Sequence, residues 1–143
     1  MGYPMAGHLV NAGHDVHVYN RTKAKSEKWA TEYEGTIHET ASSAAENCDF
    51  VFTCVGNDED VQEVLNGPTG AIHALNEGAV IVDHTTASVT LAKELANTCA
   101  ERNIGFIDAP ISGGQSGAEQ GTLSIMCGGQ PNHFEKVQSV MEA

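Results

Sequence analysis

The stretch that decides the fold is Asp108–Gly129, DAPISGGQSGAEQGTLSIMCGG. A short apolar run, Gly105–Ile107, leads into it and predicts a strand. Leu123–Cys127 predicts a second strand, stopped by Gly128 and Gly129. Between the two strands we expect a long glycine-rich loop, whose backbone N–H groups would face a strand's carboxyl end, where open α/β sheets bind ligands. An ordinary connecting loop explains the glycines alone equally well.

Outward from this stretch, strand patterns alternate with helix patterns along the whole chain. Strands are predicted at Asp15–Asn20, Phe50–Val55 and Ala79–Asp83. Helices are predicted at Met1–Ala12, Thr22–Tyr33 with Thr22 as N-cap, Ser42–Glu46, Asp58–Leu65, Val89–Asn103 and from Asn132 to the end. This alternation predicts one α/β domain over residues 1–143, with a doubly wound, mostly parallel sheet covered on both faces.

Composition excludes several classes of function. A formal net charge of −12 argues against a nucleic-acid-binding surface, and no apolar run is long enough to span a membrane. The four cysteines have no paired spacing, so we expect free thiols and an intracellular, most simply cytoplasmic, protein, with an organelle left open. The seven histidines show neither H-x-x-x-H nor H-E-x-x-H, so no metal site is predicted.

Three segments carry recognisable motifs: Met1–Ala6, Asn20–Thr22 and Asp108–Leu123. Together they resemble the β-hydroxyacid dehydrogenase family, which includes 3-hydroxyisobutyrate dehydrogenase and the glyoxylate/succinic semialdehyde reductases. Met1–Ala6, MGYPMA, matches the second half of the family's G-x-G-x-M-G-x-x-M-A fingerprint. Asn20–Thr22 follows the second strand of the fold, and Asp108–Leu123 matches D-A-P-[IV]-S-G-G-x-x-G-A-x-x-G-T-L almost throughout. The resemblance implies a Rossmann-like fold and covers only the family's cofactor domain.

The resemblance also implies that parts of the family's enzyme lie outside this chain. The first strand of the sheet and two fingerprint glycines would precede Met1, so the domain is expected to be incomplete. An all-helical domain would follow, with the catalytic lysine in a G-x-x-x-K motif. No catalytic residue is therefore expected on this chain, and Lys93, on a predicted helix, is not accepted as a substitute.

Without its first strand, the sheet would lose pairing on both sides of the gap. In the order 3-2-1-4-5-6, strands Asp15–Tyr19 and Phe50–Val55 would each lose a partner. Unpaired buried backbone groups cost about 1–3 kcal/mol each. We therefore expect a chain that is marginally stable, that pairs between copies or that rearranges.

Cofactor contacts are implied residue by residue. The family's pattern assigns them to Gly2, Met5, Asn20, Arg21, Thr22, Val55, Gly56, Asn57, Val61 and Thr86. NAD-selective enzymes place an acid at the position held here by Asn20, and Arg21 follows it. Since a guanidinium fork suits a 2′-phosphate, NADP is favoured over NAD. Lys23 and Lys25 add positive charge, although a solvated helix start would also explain this cluster.

The substrate carboxylate is implied to contact Ser112, Gly113 and Gly114. Successive backbone N–H groups and one hydroxyl supply donors without bulk. The implied activity is reversible hydride transfer between NADP(H) and a small hydroxyacid or its aldehyde. We also expect the protein to be a homo-oligomer and its binding partner to be this small-molecule substrate. The alternative is a non-catalytic NADP-binding or oligomerisation module.

Three further polar residues receive structural interpretations. Ser88 is predicted to cap the following helix rather than to contact a ligand. His84 has a side chain suited to proton transfer, but a catalytic role is not expected for it. Asp108 is expected to end its strand and to fix the following loop by accepting backbone N–H bonds.

Overall fold

The computed structural model describes all 143 residues. The helices are α1 (Gly2–Asn11), α2 (Lys23–Glu32), α3 (Ala41–Ala45), α4 (Asp58–Asn66), α5 (Val89–Ala100), α6 (Gly114–Gln120) and α7 (Pro131–Met141), with a 3-10 turn at Ala71–His73. The strands are β1 (His17–Val18), β2 (Thr36–Ile37), β3 (Phe50–Thr53), β4 (Val80–Asp83), β5 (Gly105–Asp108), β6 (Ile111–Ser112), β7 (Ser124–Ile125) and β8 (Gly128–Gly129). No helix has the length and apolar character needed to cross a membrane.

The strands form one main sheet and two smaller pairs. The main sheet has the order β3-β4-β5-β8, in which β3, β4 and β5 are parallel and β8 is antiparallel. β1 and β2 form a separate parallel pair, and β6 and β7 an antiparallel pair. The predicted Rossmann-like, mostly parallel α/β fold is confirmed.

Helices cover both faces of the main sheet, as the doubly wound prediction requires. On one face, Ile81 of β4 belongs to a core that includes Leu65 of α4 and Leu95 of α5. On the other face, Val82 packs in a smaller core with Val137 of α7. Because successive side chains of a strand point to opposite faces, the apolar run Val80–Val82 supplies both cores.

The loop predicted between the strand ending at Ile107 and the strand beginning at Leu123 was wrong, because this stretch contains β6 and α6. The two buried residues of α6 are Gly117 and Ala118, and His8 of α1 donates from Nε2 to the Ala118 carbonyl at 2.9 Å. Gly121, in the left-handed conformation with φ 66°, ends the helix. Packing against α1 thus outweighs the low helix propensity of a glycine-rich segment.

Two other strand predictions need correction. The strand predicted at Leu123–Cys127 is confined to Ser124–Ile125, and the predicted stop, Gly128–Gly129, is itself β8. An added Cβ at Gly129 would lie 2.6 Å from Ile107 Cδ1, so glycine allows β8 to approach β5 closely. β2 was not predicted, since its two residues are both exposed and form no apolar run.

β1 and β3 each carry one edge that pairs with no other strand. β1 pairs only with β2, and β3 only with β4. The two edges do not pair with each other, so the chain does not rearrange its sheet to join them. The expectation that both strands lack a partner on one side therefore agrees with the observed topology.

Candidate functional site

The polar ends of β3 and β4 are tied together by a buried hydrogen-bond network. Thr53 Oγ1 donates to Asp83 Oδ1 at 2.8 Å, and the same oxygen accepts from the Thr85 backbone at 3.0 Å. Thr85 Oγ1 in turn accepts from the Val55 N–H at 3.1 Å. This network fixes the loops that follow both strands, which lie at the ligand-binding edge of an open α/β sheet.

The β3–α4 and β4–α5 loops meet at an open depression. Its lining consists of Gly56, Asn57, Asp58, Glu59 and Thr86. Asn57 is the N-cap of α4 and its Oδ1 accepts from the Asp60 N–H at 2.9 Å. The structure therefore brings together three of the residues that the sequence assigned to the cofactor.

Val61 does not join this surface. Its side chain is fully buried, at 0% exposure, within the core between the sheet and its covering helices. A side chain with no exposed surface packs α4 against the sheet rather than contacting a ligand. Val61 is therefore not among the residues that we consider as cofactor contacts.

The start of α1 lies against the end of β3. An added Cβ at Gly2 would lie 3.4 Å from Cys54 Cβ, which is ordinary van der Waals contact. Met5 is half-buried one turn further along α1. The first N–H groups of a helix have no intrahelical partners, so α1 directs free donors toward the residues that follow β3. Burial raises the pKa of the Cys54 thiol, which keeps it protonated.

Asn20, Arg21 and Thr22 form an exposed turn between β1 and α2. Asn20 Oδ1 accepts from the Thr22 N–H at 2.8 Å, which makes a local turn. Thr22 is the N-cap residue of α2, as predicted, but its side chain makes no capping bond. Arg21 Nη1 donates to Asp60 Oδ1 at 2.8 Å, which joins this turn to α4.

Two of the neighbouring cations, Lys23 and Lys28, also have acidic partners, whereas Lys25 has none. Lys23 Nζ lies 2.7 Å from Glu39 Oε1, and that hydrogen bond raises the pKa of the Lys23 amine. Lys28 lies 4.0 Å from Glu32, one turn along α2. Much of the positive charge that the sequence assigned to a phosphate is thus already paired within the protein.

Ser112, Gly113 and Gly114 are exposed at the junction of β6 and α6. Gly113 has φ 137° and Gly114 has φ 64°, conformations that L side chains rarely adopt. An added Cβ at Gly113 would also approach Leu123 Cδ2 to 3.1 Å. The two glycines therefore allow the tight turn that leads into α6. From the sequence, their role had been interpreted as leaving access for a ligand.

The remaining polar residues near this edge are structural. Ser88 is the N-cap of α5, where its Oγ accepts from the Leu91 N–H at 3.2 Å, as predicted. His84 is buried, and its Nδ1 donates to the Ala109 carbonyl at 2.8 Å. Asp108 ends β5, but its carboxylate accepts no hydrogen bond, contrary to expectation; burial, with Asp83 nearby, raises its pKa.

Sequence reasoning missed two carboxylates that organise this region. No role was assigned to Asp83, which ends a predicted strand, and Asp60 was not singled out. The sequence did contain one indication of the network: each of two apolar runs ends in a polar residue, Thr53 in one and Asp83 in the other. The pairing of Asp60 with Arg21 joins residues 39 positions apart and left no local signal.

Comparison with known proteins gives a consistent result over the whole chain. A family model described as the NAD binding domain of 6-phosphogluconate dehydrogenase matches residues 1–143. An uncharacterized oxidoreductase of Shewanella frigidimarina is 52% identical over 143 residues, which is 100% of this chain and 49% of that protein. The chain thus spans about half the length of the curated relatives it matches.

Two solved structures share the fold closely. Mycobacterium tuberculosis 3-hydroxyisobutyrate dehydrogenase with L-serine has a TM-score of 0.90 at 30% identity, over 99% of this chain and 47% of that one. Psf3 in complex with NADP+ and 2-OPP has a TM-score of 0.92 at 26% identity, over 99% and 50%.

Proposed function

We propose, since this chain belongs to the NAD binding domain family of 6-phosphogluconate dehydrogenase, that it forms the cofactor-binding half of an NADP-dependent oxidoreductase of small hydroxyacids. The observation that carries the proposal is the position of Arg21. Its guanidinium reaches α4 beside the β3–α4 loop, while most of the side chain, 74%, remains exposed. A 2′-phosphate held there would meet a cation next to the depression that Gly56, Asn57 and Thr86 help to line.

The residues around this edge suit a dinucleotide. The free N–H groups at the start of α1 suit a pyrophosphate, because a helix N-terminus favours negative charge. Gly56 and Thr86, the two smaller residues of the lining, leave room for a flat group beside Asn57. The proposed contacts are Gly2, Met5, Asn20, Arg21, Thr22, Val55, Gly56, Asn57 and Thr86.

The bound nicotinamide would supply or accept the hydride, and the protein would orient the reactants. We assign the substrate's carboxylate to Ser112, Gly113 and Gly114. The Ser112 hydroxyl makes no hydrogen bond within the protein, and the first N–H groups of α6 are free of helix partners. A lysine outside this chain would exchange the proton of the substrate's hydroxyl group, as the resemblance implies.

Titration of the 143-residue chain with NADPH and with NADH tests the cofactor assignment. The Arg21→Ala variant should weaken NADPH binding about tenfold, because a charge-assisted contact to the 2′-phosphate is lost, and should leave NADH binding unchanged. Arg102→Ala, which removes an exposed guanidinium just after α5, serves as the matched control. Equal affinities of all three proteins for NADPH would contradict the assignment.

A turnover assay tests whether this chain lacks the proton-transferring lysine. The chain mixed with NADPH and glyoxylate, or succinic semialdehyde, should oxidise NADPH no faster than the background, because the proton-transferring lysine is assigned to another part of the protein. Turnover well above background would refute that assignment. A G-x-x-x-K segment encoded further downstream in the same gene would favour the enzyme over the non-catalytic alternative.

A further inference from the structure

We propose that Asp60 sets how strongly this protein prefers a phosphorylated dinucleotide, because its carboxylate competes with the 2′-phosphate for Arg21. The inference rests on the proposed function and adds to it a residue that acts against the bound phosphate.

The contact between the two side chains is short, and the two side chains differ in how much of their surface is exposed. Arg21 Nη1 lies 2.8 Å from Asp60 Oδ1. The Asp60 side chain is 21% exposed, whereas that of Arg21 is 74% exposed. The carboxylate is therefore the shielded partner, and the guanidinium extends from solvent to meet it.

Local structure favours a negative charge at Asp60 and leaves room for its carboxylate. Asp60 is the third residue of α4, and its N–H donates to the capping oxygen of Asn57. Negative charge in the first turn of a helix is stabilised by the free N–H groups there. An added Cβ at Gly56 would lie 2.9 Å from Asp60 Oδ2, so the absence of a side chain at Gly56 gives the carboxylate its space.

This geometry makes Asp60 unfavourable to a second anion. A phosphate that binds Arg21 must either share the guanidinium with Asp60 or displace that carboxylate, and it approaches the negative charge of Asp60 in both cases. An unphosphorylated ribose makes no such demand on the pair. Asp60 therefore lowers the affinity for NADPH while affecting the affinity for NADH little.

Removal of the Asp60 charge gives the direct test. In the 143-residue chain at low ionic strength, Asp60→Asn should raise the ratio of NADH to NADPH dissociation constants about two- to fivefold, the range expected for an exposed charge pair. The matched control is Glu39→Gln, which removes one negative charge beside Lys23 rather than Arg21. This control should shift the ratio by less than half as much.

Two further measurements tie the effect to Arg21. The shift in Asp60→Asn should shrink as salt is raised to about 1 M, where screening acts over roughly 3 Å. The shift should disappear in the double variant Arg21→Ala/Asp60→Asn, compared with Arg21→Ala alone. If Asp60→Asn fails to fold by circular dichroism, Asp60→Ser removes the same charge from the same helical position.

The outcomes separate this inference from the proposed function. If the wild-type chain prefers NADPH and Asp60→Asn leaves that preference unchanged or weakens it, Asp60 does not oppose the phosphate and only this inference is overturned. The same holds if Glu39→Gln produces an equal shift. If no variant binds either dinucleotide, both proposals are overturned.

Discussion

At the scale of single residues, His84 shows how burial decides the role of a titratable group. It lies at the end of β4, its ring stacks on Phe52 with centroids 5.9 Å apart, and its Nδ1–H donates to the Ala109 carbonyl. Since a carbonyl only accepts, the neutral ring must carry its proton on Nδ1. Burial lowers the pKa of His84 below 6.5, although the Ala109 bond and Asp83 act in the opposite direction. This environment favours a neutral structural imidazole.

The lowered pKa of His84 makes stability depend on pH. Because the folded state favours the neutral ring, His84 contributes stability above its unfolded pKa of 6.5, and that contribution is lost as pH falls through the lower folded value. The free energy of unfolding in urea should therefore fall as the pH is lowered below about 6.5. The slope should be shallower in His84→Gln, in which the other histidines remain. Identical slopes in the two proteins would contradict the prediction.

At the scale of elements, the network at the ends of β3 and β4 determines whether the two loops keep their positions. Thr53→Val keeps the shape of the side chain and removes the hydroxyl that donates to the buried Asp83 carboxylate. Because hydrogen bonds to charged groups are strong, the free energy of unfolding should fall by about 1.5–3 kcal/mol. Urea unfolding followed by circular dichroism measures this loss.

Thr31→Val is the matched control for that variant. Thr31 is exposed on α2, and its hydroxyl donates to the Lys28 carbonyl at 2.6 Å. Its replacement should change the free energy of unfolding by no more than about 0.5 kcal/mol. Similar losses from both variants would mean that the buried carboxylate does not depend on Thr53.

The elements that sequence predicted well are those whose signal is local. β3 and β4 follow from unbroken apolar runs, and α5 from a repeating apolar stripe that ends near its observed last residue. α6 and β8 could not be found in this way, because glycines leave no periodic pattern and both elements depend on distant partners. The same limit applies to the site: its loops follow from strand order, whereas the contact of Arg21 with Asp60 follows only from the folded chain.

At the scale of the whole molecule, the free edges of β1 and β3 present unpaired backbone groups. The carbonyls of Asp49 and Thr53 accept bonds from the β4 side. Since the backbone groups of alternate residues point to opposite sides of a strand, those of Phe50 and Phe52 face away from β4. In β1 the Val18 carbonyl accepts from the β2 side, which leaves the groups of His17 on the other edge.

These edges lead us to expect weak stability that increases when copies of the chain associate. An unpaired backbone group costs about 1–3 kcal/mol where it is shielded from water, and a domain has only about 5–15 kcal/mol in total. An exposed strand edge is a template for another strand, so pairing between copies would recover part of this loss. The urea midpoint should then rise over a roughly hundredfold range of protein concentration, because association stabilises the folded state by mass action. Sedimentation should show dimers or larger species over the same range. A monomer with a high midpoint that does not change with concentration would contradict this expectation and would mean that water satisfies both edges at little cost.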